Sequence, residues 1–435
     1  MNRCEEGKNA YDLAKRLYPV YRSITGDGVR ESFQIIRDYI GDDLKLYEVR
    51  SGTQAFDWTV PKEWRIRDSY IESESGERFA QFSENNLHVL GYSVPVDQWM
   101  EREELEEYIY TQEDQKAAIP YITSYYKERF GFCMSEEEKR KLSPGRYRAY
   151  IDSELFDGAL SYADCLLTGQ KKEEIVFTTY SCHPQMANDN CSGMVLLAEL
   201  IKYVKSLPNR YYTYRFAFFP ETIGAIVYLS QEDRLDYMRK NTIGGYTLSC
   251  VGDDGDYSII YSKDGNALSD RALINVLNFS ENTEGIYKEY SYLDRGSDER
   301  QFNSPGVDIS VSGYCRTKYW EFPEYHTSLD TMDFISPDGL QGSFDVMKEV
   351  IDLLEYNRKY RMTMPCEPQL GKRGLYPSIS QKGKYDEVKA MMDFIGYADG
   401  KLDLIEISNK IVQPVRVLKP IIDKLLAEQI ISVED

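Results

Sequence analysis

The sequence predicts an α/β protein whose mixed, mostly parallel sheet is covered by helices on both faces. Strand-like runs of apolar and β-branched residues alternate with amphipathic helical patterns between about 159 and 360, which is typical of parallel strands joined by helices. The run IVFTTY at 175–180 has the composition of a central strand that is buried on both faces. Because 435 residues exceed the usual size of one hydrophobic core, we expect further domains.

The main domain is predicted to comprise residues 1–51 and 151–367. It begins with helical patterns at 9–40 and a strand at 43–49, and it ends with a long helical pattern at 338–360. Between them, the patterns predict strands at 159–169, 173–181, 212–220, 244–252 and 307–314, and helices at 192–207, 222–231 and 271–280.

Residues 52–150 are predicted to form a small β-rich domain that is inserted into the main domain. Short, alternating, aromatic-rich runs are broken here by Gly and Pro, and three of the four tryptophans, Trp58, Trp64 and Trp99, lie in this segment. These aromatic residues either form the core of the inserted domain, which we favour, or provide a stacking surface for sugars or peptide side chains. In both cases the inserted domain is placed to act as a lid over an active site.

Residues 371–435 are predicted to form a winged-helix or helix-turn-helix domain. Helical patterns at 385–397, 402–412 and 415–429 have the required short spacing. The last helix carries Arg416, Lys419 and Lys424, but the segment has ten basic and ten acidic residues and thus no net charge. Because DNA-binding domains usually present a basic face, contact with a protein is favoured over contact with DNA.

The composition favours a cytoplasmic protein. A net charge of -20 argues against nonspecific attraction to nucleic acid or to anionic membranes. No window approaches the roughly 18 apolar residues of a membrane span, and the first residues lack the apolar core of a secretion signal. The eight cysteines are scattered without a Cys-x-x-Cys pair, which suits reduced thiols. The oligomeric state is left open.

Two of the three histidines and two carboxylates follow predicted strands of the main domain. His183 and Asp189 follow one strand, Glu221 follows the next, and His326 follows a later one. Because sites in α/β sheets collect at the carboxyl ends of strands, we expect these side chains to meet. Imidazole nitrogen and carboxylate oxygen are ligands of Zn²⁺ in catalytic sites, which keep one position open for water. The sequence therefore predicts a zinc site.

Four segments around these residues resemble, in order, the motifs of the zinc exopeptidases, which include bacterial aminopeptidases, glutamate carboxypeptidases and glutaminyl cyclases. The segments are NDNCSG (188–193), ETIG (221–224), SDE (297–299) and HTSLDT (326–331). More narrowly, the chain resembles aminopeptidase-like proteins that combine this domain with an aromatic inserted domain and a C-terminal winged helix.

The resemblance assigns roles to particular residues. It implies three metal ligands: His183 as the first histidine, Asp189 as the carboxylate that bridges two metals, and His326 as the last histidine. It implies that Glu221 is the general base. Asp298 matches the aspartate of the family's Ser-Asp-His segment, and we expect Asp298 and Asp330 to contact the ligands rather than the metal.

Two departures from the family pattern change the expected metal count. Thr222 replaces a glutamate that binds one metal, and the aspartate that binds the other metal falls at about Ser249 or Cys250. Each metal of the usual pair thus loses one ligand. Three protein ligands and water suffice for one zinc, so we predict a single ion. The thiol of Cys250 is an alternative ligand, set against an ordinary buried strand cysteine.

The function predicted from these residues is zinc-dependent hydrolysis of an amide bond, in a peptide or a small amide. Zinc would activate water, and Glu221 would move the proton to the leaving amine. One alternative is an acyltransferase or cyclase that uses one zinc on the same scaffold. A second is a binding module without catalytic activity that is coupled to the winged helix.

Overall fold

The protein is described from a computed structural model that covers residues 5–231, 233–375 and 384–434. Cys4 and part of the predicted C-terminal domain, residues 376–383 and Asp435, lie outside the described residues. The helices are α1 (Glu5–Leu17), α2 (Asp27–Ile40), α3 (Arg102–Leu105), α4 (Glu136–Lys139), α5 (Gly193–Ser206), α6 (Ile223–Ser230), α7 (Arg234–Asn241), α8 (Leu268–Phe279), α9 (Glu299–Phe302), α10 (Pro337–Tyr356), α11 (Lys384–Tyr397), α12 (Leu404–Ile411) and α13 (Val415–Ala427).

The strands follow the same chain order. They are β1 (Lys45–Arg50), β2 (Gln54–Ala55), β3 (Trp58–Thr59), β4 (Glu63–Ser73), β5 (Arg78–Phe79), β6 (Val96–Glu101), β7 (Ile109–Tyr110), β8 (Phe132–Cys133), β9 (Arg146–Phe156), β10 (Ala159–Leu167), β11 (Glu174–Tyr180), β12 (Thr213–Phe219), β13 (Thr242–Leu248), β14 (Ser258–Ile260), β15 (Lys288–Tyr290), β16 (Val311–Cys315), β17 (Lys359–Met362), β18 (Asp399–Asp403) and β19 (Ile431–Glu434).

The main sheet has eight strands in the order β1-β10-β12-β11-β13-β16-β14-β15. The central strands β12, β11, β13 and β16 are parallel to one another, and β1 and β10 add an antiparallel edge. One core packs α1, α2, α5, α8 and α10 against one face, and a second core packs α6 and α7 against the other. The predicted class, a mixed, mostly parallel sheet covered on both faces, is confirmed.

The central strand β11 is buried on both faces, as its run of apolar and β-branched residues predicts. All seven of its residues are buried. Its first residue, Glu174, is the polar exception, and its carboxylate accepts hydrogen bonds from the guanidinium of Arg215 at 2.9 Å and 3.0 Å. A buried charge is tolerated here because the partner guanidinium neutralises it.

The four parallel central strands end at the same edge of the sheet. The segments that follow β11, β12 and β16 carry the predicted site residues, and the segment after β13 carries Ser249. The fold therefore brings together segments that are far apart in the sequence.

The segment predicted to be an inserted domain, for which we keep that name, contains a four-stranded antiparallel sheet in the order β5-β4-β9-β6. Its strand β9 continues to Phe156, beyond the predicted boundary at residue 150. Trp64 is a core residue with 2% exposure, whereas Trp58 and Trp99 are 36% and 42% exposed. The aromatic residues of this domain thus divide into a buried set and a surface set.

The C-terminal segment forms the expected three helices, α11, α12 and α13, together with a three-stranded antiparallel sheet in the order β18-β17-β19. Strand β17 comes before the predicted start of this domain at residue 371. Residues of α13 join the core that contains α10. Among the described residues, no helix has both the length and the apolar character that crossing a membrane requires.

Candidate metal centre

Three of the predicted residues form a compact group at the edge of the sheet. The ligand atoms of His183, Asp189 and His326 all lie within 4.8 Å of one another. The Nδ1 atom of His183 lies 3.0 Å from Oδ1 of Asp189, and the Nε2 atom of His326 lies 3.1 Å from Oδ2 of the same carboxylate. Each imidazole therefore approaches a different oxygen of the same carboxylate.

The group has the character of a metal-binding site. Both Oδ2 of Asp189 and Nε2 of His326 are buried, and although they lie 3.1 Å apart, neither makes a hydrogen bond of good geometry. Buried polar atoms without a partner cost free energy, so such a pair indicates a missing partner. Two imidazoles and one carboxylate match the ligands of zinc. The residues present fit a zinc ion.

The charges at the site are set by its burial. Burial favours the neutral carboxyl group of Asp189, but the imidazoles of His183 and His326 outweigh it and hold the pKa of Asp189 below its usual range. Burial lowers the pKa of His326. At His183 the effect of burial is exceeded by the Asp189 carboxylate, which raises the pKa. Asp189 is thus anionic and His326 neutral, as metal binding needs, whereas His183 must release its proton when a cation binds.

The segment that carries Asp189 is held by Asp330. The carboxylate of Asp330 accepts hydrogen bonds from the backbone N–H groups of Asn188 and Asp189, at 2.7 Å and 2.8 Å. Burial raises the pKa of Asp330 to about 8. Asp330 thus fixes the backbone of a predicted ligand and does not point its carboxylate at the three-residue group.

Ser249 is linked to Asp189 through the hydroxyl group of Tyr180. The hydroxyl of Tyr180 donates a hydrogen bond to Oδ1 of Asp189 and lies 2.7 Å from Oγ of Ser249. Cys250 is buried, its Sγ lies 3.7 Å from Oγ of Ser249, and burial raises the pKa of its thiol. Among the described residues, the group whose ligand atoms lie close enough to hold one ion does not include Cys250, so this alternative ligand is disfavoured.

Glu221 lies beside the three-residue group. Its Oε2 is 3.7 Å from Nε2 of His183, and its backbone N–H donates to Sγ of Cys182 at 3.3 Å. Burial raises the pKa of Glu221 to about 7, against the opposing effect of His183. A carboxyl group with this pKa can both accept and release a proton near neutrality.

Asp298 and Arg300 support the segment that follows Glu221. The backbone N–H of Thr222 donates to Oδ1 of Asp298 at 2.8 Å, and the guanidinium of Arg300 donates to Oγ1 of Thr222. Burial, followed by the charge of Glu221, raises the pKa of Asp298. A positively charged group therefore contacts the threonine that stands in place of the family's second glutamate.

Tyr121 of the inserted domain covers both histidines. Its ring centroid lies 5.2 Å from each imidazole, in edge-on geometry. Its backbone N–H donates to the carbonyl of His326 at 2.9 Å, and the neighbouring Ile119 accepts from Ser328 at the same distance. The inserted domain is therefore attached to the segment that carries His326.

Arg22 of the N-terminal region also holds the site. Its buried guanidinium donates to the carbonyl of His183 at 3.0 Å and to Sγ of Cys191 at 3.0 Å. Sequence reasoning missed Arg22, Tyr121 and Tyr180, because nothing in their local patterns marks them. Arg300 carried a signal, since it follows the SDE segment at 297–299 directly.

A cavity of about 290 Å³ opens next to these residues. Its wall includes His183, His326 and Glu221 from the main domain and Trp58 and Tyr121 from the inserted domain. The cavity is thus bounded by both domains.

Known proteins resemble this chain along its whole length. A family model described as domain of unknown function (DUF4910) matches residues 11–357, and one described as winged helix-turn-helix matches residues 358–433. A Clostridium acetobutylicum protein, provisionally named a polysaccharide biosynthesis protein with an aminopeptidase-like domain, is 42% identical in an alignment of 435 positions that covers 99% of this chain and 98% of that protein.

Solved structures share the fold. The crystal structure of a provisionally named peptidase from Clostridium acetobutylicum has a TM-score of 0.92 at 42% identity, with 100% of this chain and 98% of that chain covered. The zinc aminopeptidase BSAP from Bacillus subtilis has a TM-score of 0.58 at 13% identity, with 79% of this chain and 94% of that chain covered.

The fold is that of the zinc aminopeptidases, extended by a C-terminal winged helix. Within this class, the chain belongs to the DUF4910 family. The resemblance predicted from the sequence motifs is confirmed at the level of fold.

Proposed function

We propose that this protein is a zinc-dependent hydrolase of amide bonds. The observation that carries the proposal is the group of His183, Asp189 and His326, with ligand atoms within 4.8 Å of one another and two buried polar atoms without a hydrogen bond. Glu221, with a pKa raised to about 7, borders the same cavity as both histidines. Two metal-binding imidazoles and a proton-accepting carboxyl group beside one cavity are what hydrolysis of an amide requires.

We propose one zinc ion, bound by His183, Asp189 and His326. A tetrahedral zinc holds its ligand atoms about 3.4 Å apart, so separations of up to 4.8 Å in this group must shorten by at most about 1.4 Å. The guanidinium of Arg300 contacts Thr222 and supplies a positive charge near Glu221. This charge supports a site with one metal, because it partly neutralises the carboxylates that a second cation would neutralise.

Different residues of the chain then have separate roles in the proposed reaction. Zinc at this site would supply Lewis acidity, which polarises an amide carbonyl and makes water more acidic. Glu221 accepts the proton of the attacking water and delivers it to the leaving amine. Asp330 and Arg22 hold the backbone of Asp189 and His183, and Tyr121 packs edge-on against both imidazoles. The substrate is a peptide or a small amide that reaches this cavity.

We also propose that the protein works in the cytoplasm. The described cysteines are all free thiols, as expected in a reducing compartment: Cys133, Cys165, Cys182, Cys191, Cys250, Cys315 and Cys366.

Metal analysis of the purified chain tests the proposed site. We expect about one zinc per chain, and we expect it to be lost in His183→Ala and His326→Ala while circular dichroism shows an intact fold. His88→Asn is the matched control, because His88 is the remaining histidine of the sequence and its Nδ1 contacts the carbonyl of Cys133 at 2.8 Å, away from the site. Folded protein without bound metal would contradict the proposal, and two ions per chain would contradict the single-metal assignment.

Product analysis separates hydrolysis from acyl transfer. With an amide substrate and excess primary amine, the proposed hydrolase releases the free acid, whereas a transferase forms the new amide.

A further inference from the structure

A second cavity, of about 540 Å³, adjoins the one that contains the histidines. Trp58, Tyr125 and Tyr126 line both cavities, so an aromatic wall separates them. The second cavity is formed by the inserted domain, apart from the three-residue metal group. A substrate that extends from the histidines past this wall enters the second cavity.

Two members of the wall expose their rings. Trp58 is 36% exposed and Tyr126 is 64% exposed, and their ring centroids are 5.8 Å apart in edge-on geometry. Trp58 is held in place because β3 pairs with β2, and the N–H of Val60 donates to the carbonyl of Thr53 at 2.9 Å. Large exposed aromatic faces at the mouth of a cavity are typical of ligand-binding surfaces, since covering them with a ligand gains free energy.

The charges around the second cavity indicate the chemical class of its ligand. Asp57 and Glu128 are acidic, and Lys62 and Lys127 are basic, so the lining has no net charge. An anionic or cationic ligand would be repelled by two of the four groups. A hydroxyl group both donates and accepts hydrogen bonds, so a neutral group rich in hydroxyls can bond to all four. All four charged side chains are exposed, so an apolar side chain would gain no contact from them.

We propose that the second cavity binds a sugar ring that stacks on Trp58 and Tyr126. The reacting amide is then the N-acyl group of an amino sugar that carries at least one further sugar. This inference depends on the proposed function only for the identity of the group that faces the metal; the sugar-binding cavity itself does not depend on hydrolysis.

The test compares two probes, N-acetylglucosamine and its β-1,4-linked trimer. Binding is measured by calorimetry on the full zinc-loaded chain that carries Glu221→Gln, so that turnover does not interfere. We expect the trimer to bind about tenfold or more tightly than the monomer, because only the trimer spans both cavities. We expect Trp58→Ala and Tyr126→Ala to remove this difference, and Trp58→Phe to retain most of it, since Phe keeps an aromatic face.

Trp99→Ala is the matched control. Trp99 is an exposed tryptophan of the same domain that lines neither cavity. We expect this variant to bind both probes as the parent chain does. Equal binding of monomer and trimer to the parent chain would overturn the inference, as would a preference for the trimer that survives Trp58→Ala. Binding of a dipeptide amide that depends on Trp58, without binding of the trimer, would assign the second cavity to peptides and overturn it as well.

These experiments distinguish failure of the proposed hydrolase function from failure of the proposed sugar-binding cavity. If the wild-type chain hydrolyses no amide but the preference for the trimer depends on Trp58, then hydrolysis is wrong and the sugar-binding cavity remains. If the chain binds zinc and hydrolyses peptide amides but shows no preference for the trimer, then the sugar-binding cavity is wrong.

Discussion

Glu221 is the residue where burial and nearby charge act most directly on the proposed chemistry. Burial favours its neutral form, whereas the imidazole of His183, 3.7 Å away, favours the carboxylate. The balance raises the pKa to about 7. An exposed glutamate, with a pKa near 4.3, would be a weaker base toward water.

Replacing Glu221 by glutamine tests its role as the base. The amide keeps the size of the side chain but cannot accept the proton, so we expect kcat to fall about 100-fold or more. We expect the zinc content to stay unchanged, because Glu221 is not among the three proposed ligands. Hydrolysis at the wild-type rate by the zinc-loaded variant would show that another group is the base.

Asp27 shows how a single carboxylate links the two domains. It is the first residue of α2, and its side chain accepts hydrogen bonds from Arg30 in the same helix and from Arg65 in β4 of the inserted domain. The hydrogen bond from Arg30, with further contributions from Arg65, lowers the pKa of Asp27. The folded state therefore favours the ionised form of Asp27.

The stability of an Asp27→Asn variant is expected to depend on pH. A lowered pKa contributes stability that is present above the unfolded-state value of about 3.9 and is lost as the pH falls through the lower folded-state value. We expect the variant to be less stable than wild type by about 0.5–1 kcal/mol at pH 7, because the pair is exposed. Thermal unfolding at several pH values should show this difference shrink as the pH falls below about 4 and vanish below the folded-state pKa. A difference that is equally large at pH 2 would contradict this explanation.

The start of α5 packs closely against the central strands. Asn190, just before this helix, donates a hydrogen bond to Oγ1 of Thr179 at 2.8 Å and accepts one from the N–H of Cys250 at 3.2 Å. A Cβ atom at Gly193 would lie 2.5 Å from side-chain atoms of both Asn190 and Thr179. A glycine is needed here because the helix approaches β11 too closely for a larger residue.

Replacing Gly193 by alanine should disturb this element and the proposed metal site together. Asn190 must move to admit the new methyl group, and it is bonded to Asp189 through the backbone. We expect a loss of stability of about 1–3 kcal/mol and weaker zinc binding. Thermal unfolding and metal titration would measure the two effects.

Gly396→Ala in α11 is the control for this substitution. No atom lies within 4 Å of a Cβ atom at this position, so alanine should be neutral or stabilise the helix by up to about 1 kcal/mol. Equal effects of the two substitutions would show that close packing at Gly193 is not the cause.

At the scale of the whole molecule, the winged helix is joined to the main domain through α13. Leu418 and Ile422 of this helix are buried in the core shared with α10. The guanidinium of Arg416 donates to the carbonyl of Phe279 at 2.6 Å, and the ammonium of Lys419 contacts Asp352 at 3.1 Å. Two of the three basic residues of α13 therefore face the main domain rather than a nucleic acid.

We expect the full chain to leave the mobility of duplex DNA unchanged at low salt. The net charge of -20 repels phosphate, and Arg416 and Lys419 are committed to contacts within the chain. An electrophoretic mobility assay measures this. A shift that is reduced in Lys424→Ala would contradict the expectation and assign DNA binding to α13.

The sequence predicted the positions of the central strands well, because buried parallel strands such as β11 leave a continuous apolar run. It failed to predict β14 and β15, which have three residues each. Short strands at the edge of a sheet lack a periodic signal, and their pairing is decided by neighbours distant in the sequence.

Local patterns of residues were enough to predict the fold class and the order of the segments that carry His183, Asp189, Glu221 and His326. Periodic burial is a local property of each segment, and strand ends in such sheets meet at one edge. The contact of Tyr121 with both histidines, and the position of Trp58 and Tyr126 between two cavities, could be learned only from the packing of the folded chain. These residues lie in irregular or very short elements, whose direction is set by packing between domains and is not recorded in any local pattern of residues.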